Sequence, residues 1–321
     1  MTAGRALLIA AFLLVVVTLG AGLFADLGKL RLVASDYPGW RIPVALALVL
    51  GNYVLRTVRF KYYLRAMGIV TGWGETFLVF VAGFLFTVTP GKMGEVVKGY
   101  LLKQRCGASV ADVASSVVAE RFTDVVGLLL VAAIGVAQHG AHAGLFVGVV
   151  GLCAIFLVAV LHPRAVPWSV RALGARARHP RLAKVWSAVL QVHGVLRQLC
   201  APRPLAVGVM LAASAWLLEA LAFRMLLDGV HAGGGLGPAV VIYAMATLFG
   251  AVSMLPGGVG STEAVMVALC LRPGLGLGVD LSQATLATLL IRFCTLWFGV
   301  VLGAAAWAAL RVRPAWALTR R

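Results

Sequence analysis

Of the eleven acidic residues in 321 positions, five fall within or beside stretches that are otherwise almost wholly apolar: Glu95, Glu120, Asp124, Glu219 and Glu263. Arg121, Arg224 and Arg292 lie in the same stretches. In Glu120-Arg121-x-x-Asp124 the two carboxylates share a helix face, and Arg121 can pair with Asp124 three residues on. At the centre of a bilayer an ionised side chain costs at least about 2.5 kcal/mol, so such groups pair with one another or face a cavity. Two Pro-Gly breaks stand close by, Thr89-Pro90-Gly91-Lys92-Met93-Gly94-Glu95 and Pro256-Gly257-Gly258-Val259-Gly260-Ser261-Thr262-Glu263. A helix that starts after such a break offers free N–H groups and the positive end of its dipole, which suit phosphate or carboxylate. Lys92, Arg121 and Arg292 are therefore expected to neutralise a phosphate, while Glu95, Glu219 and Glu263 face a cationic group or a coupling proton. The backbone of Pro90, Gly91, Gly94, Pro256, Gly257, Gly258 and Gly260, with Glu120 and Asp124, completes the candidate binding set. The plainer alternative is that Glu120, Arg121 and Asp124 pair only to hold helices together. Arg224 is read that plainer way, as a side chain reaching for an interface.

The elements that carry these groups are apolar helices. Hydrophobic residues make up 61% of the chain and charged residues 12%, about half the charged share of a soluble domain. Six stretches, 6–25, 42–58, 111–136, 143–161, 205–227 and 284–310, are long enough to cross a hydrocarbon core of roughly 30 Å. The first resembles a signal peptide, but no small-x-small cleavage site follows it, so an uncleaved span is expected. Two further segments differ. The apolar run 75–88 reaches only about 21 Å as a helix before its Pro-Gly break, and the run 239–255 ends on the second break. Both read as re-entrant or broken helices, which persist at membrane depth only where protein or a wet cavity satisfies the backbone. The fold class expected is all-α, a polytopic membrane protein.

The formal charge of +17 comes from 28 Lys+Arg against 11 Asp+Glu. Such a surplus suggests nucleic acid in a soluble chain; here the basic residues flank apolar spans, where they set orientation and meet anionic lipid, and no nucleic-acid partner is expected. Arg56, Arg59, Lys61 and Arg65, the eight Lys/Arg of residues 162–204, and Arg311, Arg313, Arg320 and Arg321 fall on one face. The positive-inside rule makes that face cytoplasmic, with both termini on it, in a bacterial inner membrane. Within 162–204, Leu182, Val185, Trp186, Val189, Leu196 and Leu199 fall at helical spacing, as in a helix lying at the lipid surface. The five cysteines are scattered and read as apolar filler. No Walker motif, His-Glu-x-x-His, Gly-x-Ser-x-Gly or acidic metal cluster occurs, and no catalytic residue, metal or cofactor is assigned.

The two breaks belong to a duplication. Pro90-Gly91-x-x-Gly94-Glu95 is echoed by Pro256-Gly257-x-x-Gly260-x-x-Glu263, and Gly107 precedes Arg121-Phe122 by the same fourteen residues that separate Gly278 from Arg292-Phe293. The repeats span about 75–136 and 238–310 of a single membrane domain. With the topology above they are inverted, an arrangement on which transporters build binding sites near the midplane.

At Thr89–Glu95, Glu120-Arg121-Phe122-Thr123-Asp124 and Pro256–Glu263 the chain resembles the flippase-like membrane region of lysylphosphatidylglycerol synthases, which also occurs as stand-alone bacterial and archaeal proteins. The likeness extends from about Trp40 to Gly303. It implies a polytopic fold with re-entrant helices and movement of lipids between leaflets. The sequence stops at Arg321 without the soluble aminoacyl-transfer domain of the full-length synthases, which argues against aminoacyl-lipid synthesis by this chain alone. Stand-alone relatives are associated with varied lipids, including hopanoids and polyprenyl-linked sugars, so the resemblance leaves the lipid open. The leading expectation is a flippase for an anionic or zwitterionic head group, with membrane lipids as partners and a partner enzyme or homo-oligomer as further options. An intramembrane lipid-modifying transferase and an accessory lipid-presenting subunit are the alternatives.

Overall fold

The computed structural model describes Gly4, Phe12 and residues 27–89, 93–139, 143–162 and 180–312. Among these residues every regular element is a helix: α1 Leu27–Ser35, α2 Arg41–Ala66, α3 Trp73–Ala82, α4 Met93–Cys106, α5 Val110–His139, α6 Ala143–Leu161, α7 Pro180–Leu199, α8 Pro202–Gly229, α9 Leu236–Val252, α10 Ser261–Cys270, α11 Leu281–Arg292 and α12 Phe298–Val312. Three described stretches, Arg41–Ala66, Pro202–Gly229 and Leu281–Val312, are long and apolar enough to cross a membrane, with Trp73–Phe86 and Leu236–Val252 as shorter apolar helices. The protein is an all-α membrane protein. Of the six spans read from sequence, five are helices here; 6–25 lies outside the described residues apart from Phe12.

Helices α2 and α8 form the antiparallel spine. Their register is fixed at three levels: Gly208 leaves room for the Tyr63 ring, Asn52 Nδ2 donates to Ala215 O at 2.8 Å, and Arg41 donates to Met225 O at 2.8 Å. Pro202 opens α8 where its missing N–H is no loss. Asp280 and Gln283 cap α11 reciprocally at 2.8 and 2.9 Å.

The apolar run before each break folds back on itself. In the first hairpin α3 continues as a 3₁₀ turn, Gly83–Phe86, and α4 returns alongside it. The arms meet at glycines: a Cβ on Gly94 would lie 2.4 Å from Gly83 O, a separation that two side chains would forbid. Glu75 at the start and Arg105 near the finish pair at 3.3 Å, so the hairpin begins and ends at the same end of the bundle. Arg105 also donates to Leu310 O at 2.6 Å, and Lys61 and Arg65 lie over the Trp73 ring, which places the ends of α2 and α12 there too. In the second hairpin α9 ends at Val252, a 3₁₀ turn covers Pro256–Gly258, and α10 returns along α9. Its two ends lie at the opposite end of the spine, where Gly233 donates to Leu277 O at 2.8 Å and Gln283 to Val230 O at 2.9 Å.

Each hairpin packs on the long helix of the other half. Helix α9 runs along α5, and α3 runs along α12, where Gly303 brings the backbone against Val81 and Leu85 and Trp307 meets Phe86 edge-on. The hairpin tips touch as well: the position of a Cβ on Gly257 is 3.5 Å from Val88, within an apolar cluster that includes Leu85, Phe86, Val259 and Leu296. Helix α7, expected at the lipid surface, is docked by its second half. Leu196 and Leu199 are buried against Phe122 and Val160, and Gln191 donates to Asp112 at 3.0 Å. Residues 163–179 of that connection lie outside the described residues.

Candidate functional site

A cavity of about 230 Å³ opens where the two hairpins meet, bounded also by α2, α5, α8, α9 and the turn after α11. Among the described residues four cations reach it, Arg56 from α2, Lys98 from α4, Arg121 from α5 and Arg292 from α11, and one carboxyl group, Glu219 from α8. Its apolar walls are largely aromatic: Tyr53, Phe80, Phe84, Trp216 and Tyr243.

The cations are held from behind by acids that do not themselves line the space. Glu120 accepts from Lys98 at 2.9 Å, both side chains being nearly out of solvent. Asp124 gathers three guanidinium groups: Arg59 at 2.8 Å, Arg56 at 3.5 Å and Arg121 at 3.7 Å. Its Oδ1 also accepts from the Trp216 indole at 3.2 Å. Arg59, wholly buried, makes the tight contact and adds a bond to Thr123. Of these three, Arg56 and Arg121 line the cavity and lie at the longer distances from Asp124. Arg56 stacks over Trp216 and Phe80, and Lys98 lies 4.9 Å from the Phe80 centroid, so the aromatic faces steady the same cations.

In the second half Arg292 Nε donates to Glu263 at 2.7 Å, and its Nη2 donates to Gly257 O at 2.7 Å. Glu263 commits its other oxygen to the N–H of Gly260 at 2.8 Å, closing the first turn of α10. Gly257 takes φ +61°, a left-handed conformation that aims its carbonyl at Arg292 and that a β-carbon would strain. Directly after Arg292 the helix widens into a π turn, Phe293–Trp297, and Tyr53 donates its hydroxyl to Thr295 O within that turn at 2.5 Å. Single π turns in α-helices are frequent at functional sites.

Of the residues singled out from sequence, Gly94, Arg121, Glu219, Gly257, Gly258 and Arg292 line the cavity. Glu120, Asp124 and Glu263 each grip a cation that lines it, and Pro256 and Gly260 shape the second break. Pro90, Gly91 and Lys92 lie outside the described residues; the backbone of Glu95 is in the first turn of α4, and its side chain is also outside them. Arg224, read as interfacial, pairs with Asp228 and donates to Gly233 O at the end of α8, away from the cavity. Sequence reasoning missed Tyr53, Arg56, Lys98, Trp216 and Tyr243. The period of α2 held the signal: Val49, Tyr53, Arg56, Phe60 and Tyr63 repeat at three or four residues, and every member but Arg56 is buried. By sequence position alone Arg56 and Arg59 read only as orienting charge.

The profile of the lysylphosphatidylglycerol synthase TM region matches residues 6–303. The chain belongs to that family. The matched range includes both hairpins and every described residue lining the cavity. A UPF0104 membrane protein of Methanothermobacter thermautotrophicus is 25% identical over 287 residues, which cover 82% of this chain and 84% of the relative. Membership in the lysylphosphatidylglycerol synthase transmembrane-region family implies a lipid-related function within a membrane.

Proposed function

We propose that the protein is a lipid flippase, and that the cavity between the hairpins holds the phosphate-bearing head group of an anionic or zwitterionic lipid while it crosses between leaflets. The observation that carries this reading is the convergence of Arg56, Lys98, Arg121 and Arg292 on one aromatic-walled space. Guanidinium and ammonium groups bind phosphate through charge-assisted hydrogen bonds, and acyl chains can trail into the bilayer between helices. Arg56 and Arg121 line the cavity and Arg59, on the same Asp124, does not, so the head group meets Arg56 and Arg121 and not Arg59.

The two hairpins are re-entrant and the halves are inverted repeats. This is supported by the opposite ends of the bundle at which the hairpins start and finish, and by the exchange of packing between α9 on α5 and α3 on α12. The end that gathers Lys61, Arg65, Arg105 and Arg311 faces the cytoplasm. With 6–25 read from the sequence as a first span, both termini fall on that side of a bacterial inner membrane. Rocking one repeat against the other exposes the site to each leaflet in turn.

The test is a leaflet-protection assay in proteoliposomes of phosphatidylethanolamine and phosphatidylglycerol, with fluorescent NBD-phosphatidylglycerol as probe and dithionite as quencher. The wild type renders the inner-leaflet probe reducible. Arg56→Ala and Arg121→Ala, each removing a charged contact to the head group, slow this about tenfold or more while eluting as folded protein. Wild-type rates in both variants defeat the site assignment; no movement by the wild type defeats the carrier.

A further inference from the structure

The acids around the cavity are not equivalent. Among the described residues, Glu120, Asp124 and Glu263 each sit within 4.0 Å of a lysine or arginine, whereas Glu219 has no such ion pair. Its side chain is buried and lines the cavity directly. Oε2 accepts the Tyr243 hydroxyl, a neutral partner. Among the described residues, the charged and titratable groups that face it are Tyr53 and Arg56 from α2, Asp124 from α5, Tyr243 from α9 and Arg292 from α11. A bilayer-embedded carboxylate without a close cation is a poor resting state, and a phosphate drawn in by the four lining cations would share the same small space with it. Two anions a few ångströms apart, screened by little water, repel strongly. A proton on Glu219 removes that repulsion and leaves a carboxyl O–H able to donate to the head group.

We propose that Glu219 is the proton-binding site of the carrier, taking up one proton together with an anionic head group and releasing it as the head group leaves, so that lipid and proton move in the same direction. This rests on the flippase reading above. The step is one acid–base exchange: water on the loading side gives a proton to the carboxylate, and the carboxyl group returns it to water on the other side. No covalent bond to lipid changes. Linkage makes the effects reciprocal: head-group binding raises the proton affinity of Glu219, and acidification raises the affinity for the head group. Tyr243 is a positioning residue, holding the carboxyl toward the cavity.

Two measurements test this. In proteoliposomes carrying NBD-phosphatidylglycerol, inward-to-outward movement is compared with and without a gradient of about one pH unit, acid on the loading side; the wild-type ratio is expected at roughly three- to ten-fold, since one unit is a tenfold change in proton activity. In Glu219→Gln, which keeps an acceptor for Tyr243, that ratio falls to one whatever the absolute rate. In weakly buffered detergent, phosphatidylglycerol binding to the wild type should take up protons, read by a pH dye, and binding to Glu219→Gln should take up none. A wild type that moves lipid at a rate indifferent to the gradient overturns the proton site and leaves the carrier standing. So does Glu219→Gln that keeps the wild-type ratio or proton uptake. A wild type that moves no lipid removes both proposals together.

Discussion

The two halves use the same device with its polarity reversed. In the first, the arm after the break carries the cation and the long helix the acid, Lys98 on Glu120 at 2.9 Å; in the second, the arm carries the acid and the long helix the cation, Glu263 on Arg292 at 2.7 Å. The first pair is sealed, with 5% and 1% of its side chains accessible, whereas both members of the second are at 12%. The helices that carry the pairs differ too. Helix α5 runs unbroken through Arg121-Phe122, while the helix through Arg292-Phe293 opens into a π turn whose Thr295 and Leu296 line the cavity. One half is sealed and continuous; its counterpart carries the more accessible ion pair and the irregular turn. If the halves move against each other, the second is built to yield.

The largest effect expected from this contrast lies at the sealed pair. Lys98→Met leaves the Glu120 carboxylate buried, and among the described residues Glu120 Oε1 already has no hydrogen-bond partner. Removing one member of a buried pair costs about 3–5 kcal/mol, so the variant should melt well below the wild type in detergent. Combining Lys98→Met with Glu120→Leu should recover most of that loss, because no charge is then stranded. At the second pair Arg292→Ala removes contacts to Glu263 and Gly257 O, with an expected cost of about 1.5–3 kcal/mol, and Glu263 keeps the Gly260 N–H. Here the flipping rate should fall more than the melting temperature. A larger melting loss in Arg292→Ala than in Lys98→Met would reverse the assignment of clamp and yielding half.

Much of this contrast could be read from the chain, and the unread part has a definite cause. Apolar run lengths revealed α2, α5, α6, α8 and the helix from Leu281, and Pro-Gly placement revealed the break at Pro256–Gly258, because each depends on residues adjacent in sequence. The spacing of Arg121 and Asp124 likewise foretold a contact now seen at 3.7 Å. Lys98–Glu120 and Tyr243–Glu219 join different helices, 22 and 24 residues apart, and no local period encodes them. Arg56 and Arg59 were hidden by their position: near a helix end rich in Lys and Arg, a charge that orients the chain and a charge that turns inward have the same sequence signature. The apolar period of α2 picks out Arg56 and misses the buried Arg59.

The glycine crossings sharpen the comparison at smaller scale. In Gly94→Ala the new methyl meets the backbone of Gly83, 2.4 Å from its carbonyl oxygen, so the arms of the first hairpin must separate at about 1–3 kcal/mol. In Gly250→Ala the methyl meets Thr262 Oγ1, a side-chain atom that a rotamer change moves aside. Gly94→Ala should therefore lower the melting temperature more than Gly250→Ala, and equal losses would mean that the second hairpin is as tightly constrained as the first.

The smallest effect belongs to the π turn. Widening a helix by one residue frees carbonyls from their usual partners, and Tyr53 supplies a donor to Thr295 O from across the cavity wall. Tyr53→Phe deletes that donor and keeps the ring, which still packs on Phe84 with centroids 4.6 Å apart. Loss of one hydrogen bond is worth about 1 kcal/mol, a small shift in thermal melting. The flipping rate is the sharper readout, because Thr295 lines the cavity and Arg292 lies three residues before it. If the bond holds the turn in its π form, Tyr53→Phe lets the helix relax toward regular winding, which rotates Arg292 relative to Phe298, and transport changes by more than the stability loss accounts for. A variant with the small melting shift and an unaltered flipping rate would make the turn a packing feature and remove one of the two differences between the halves.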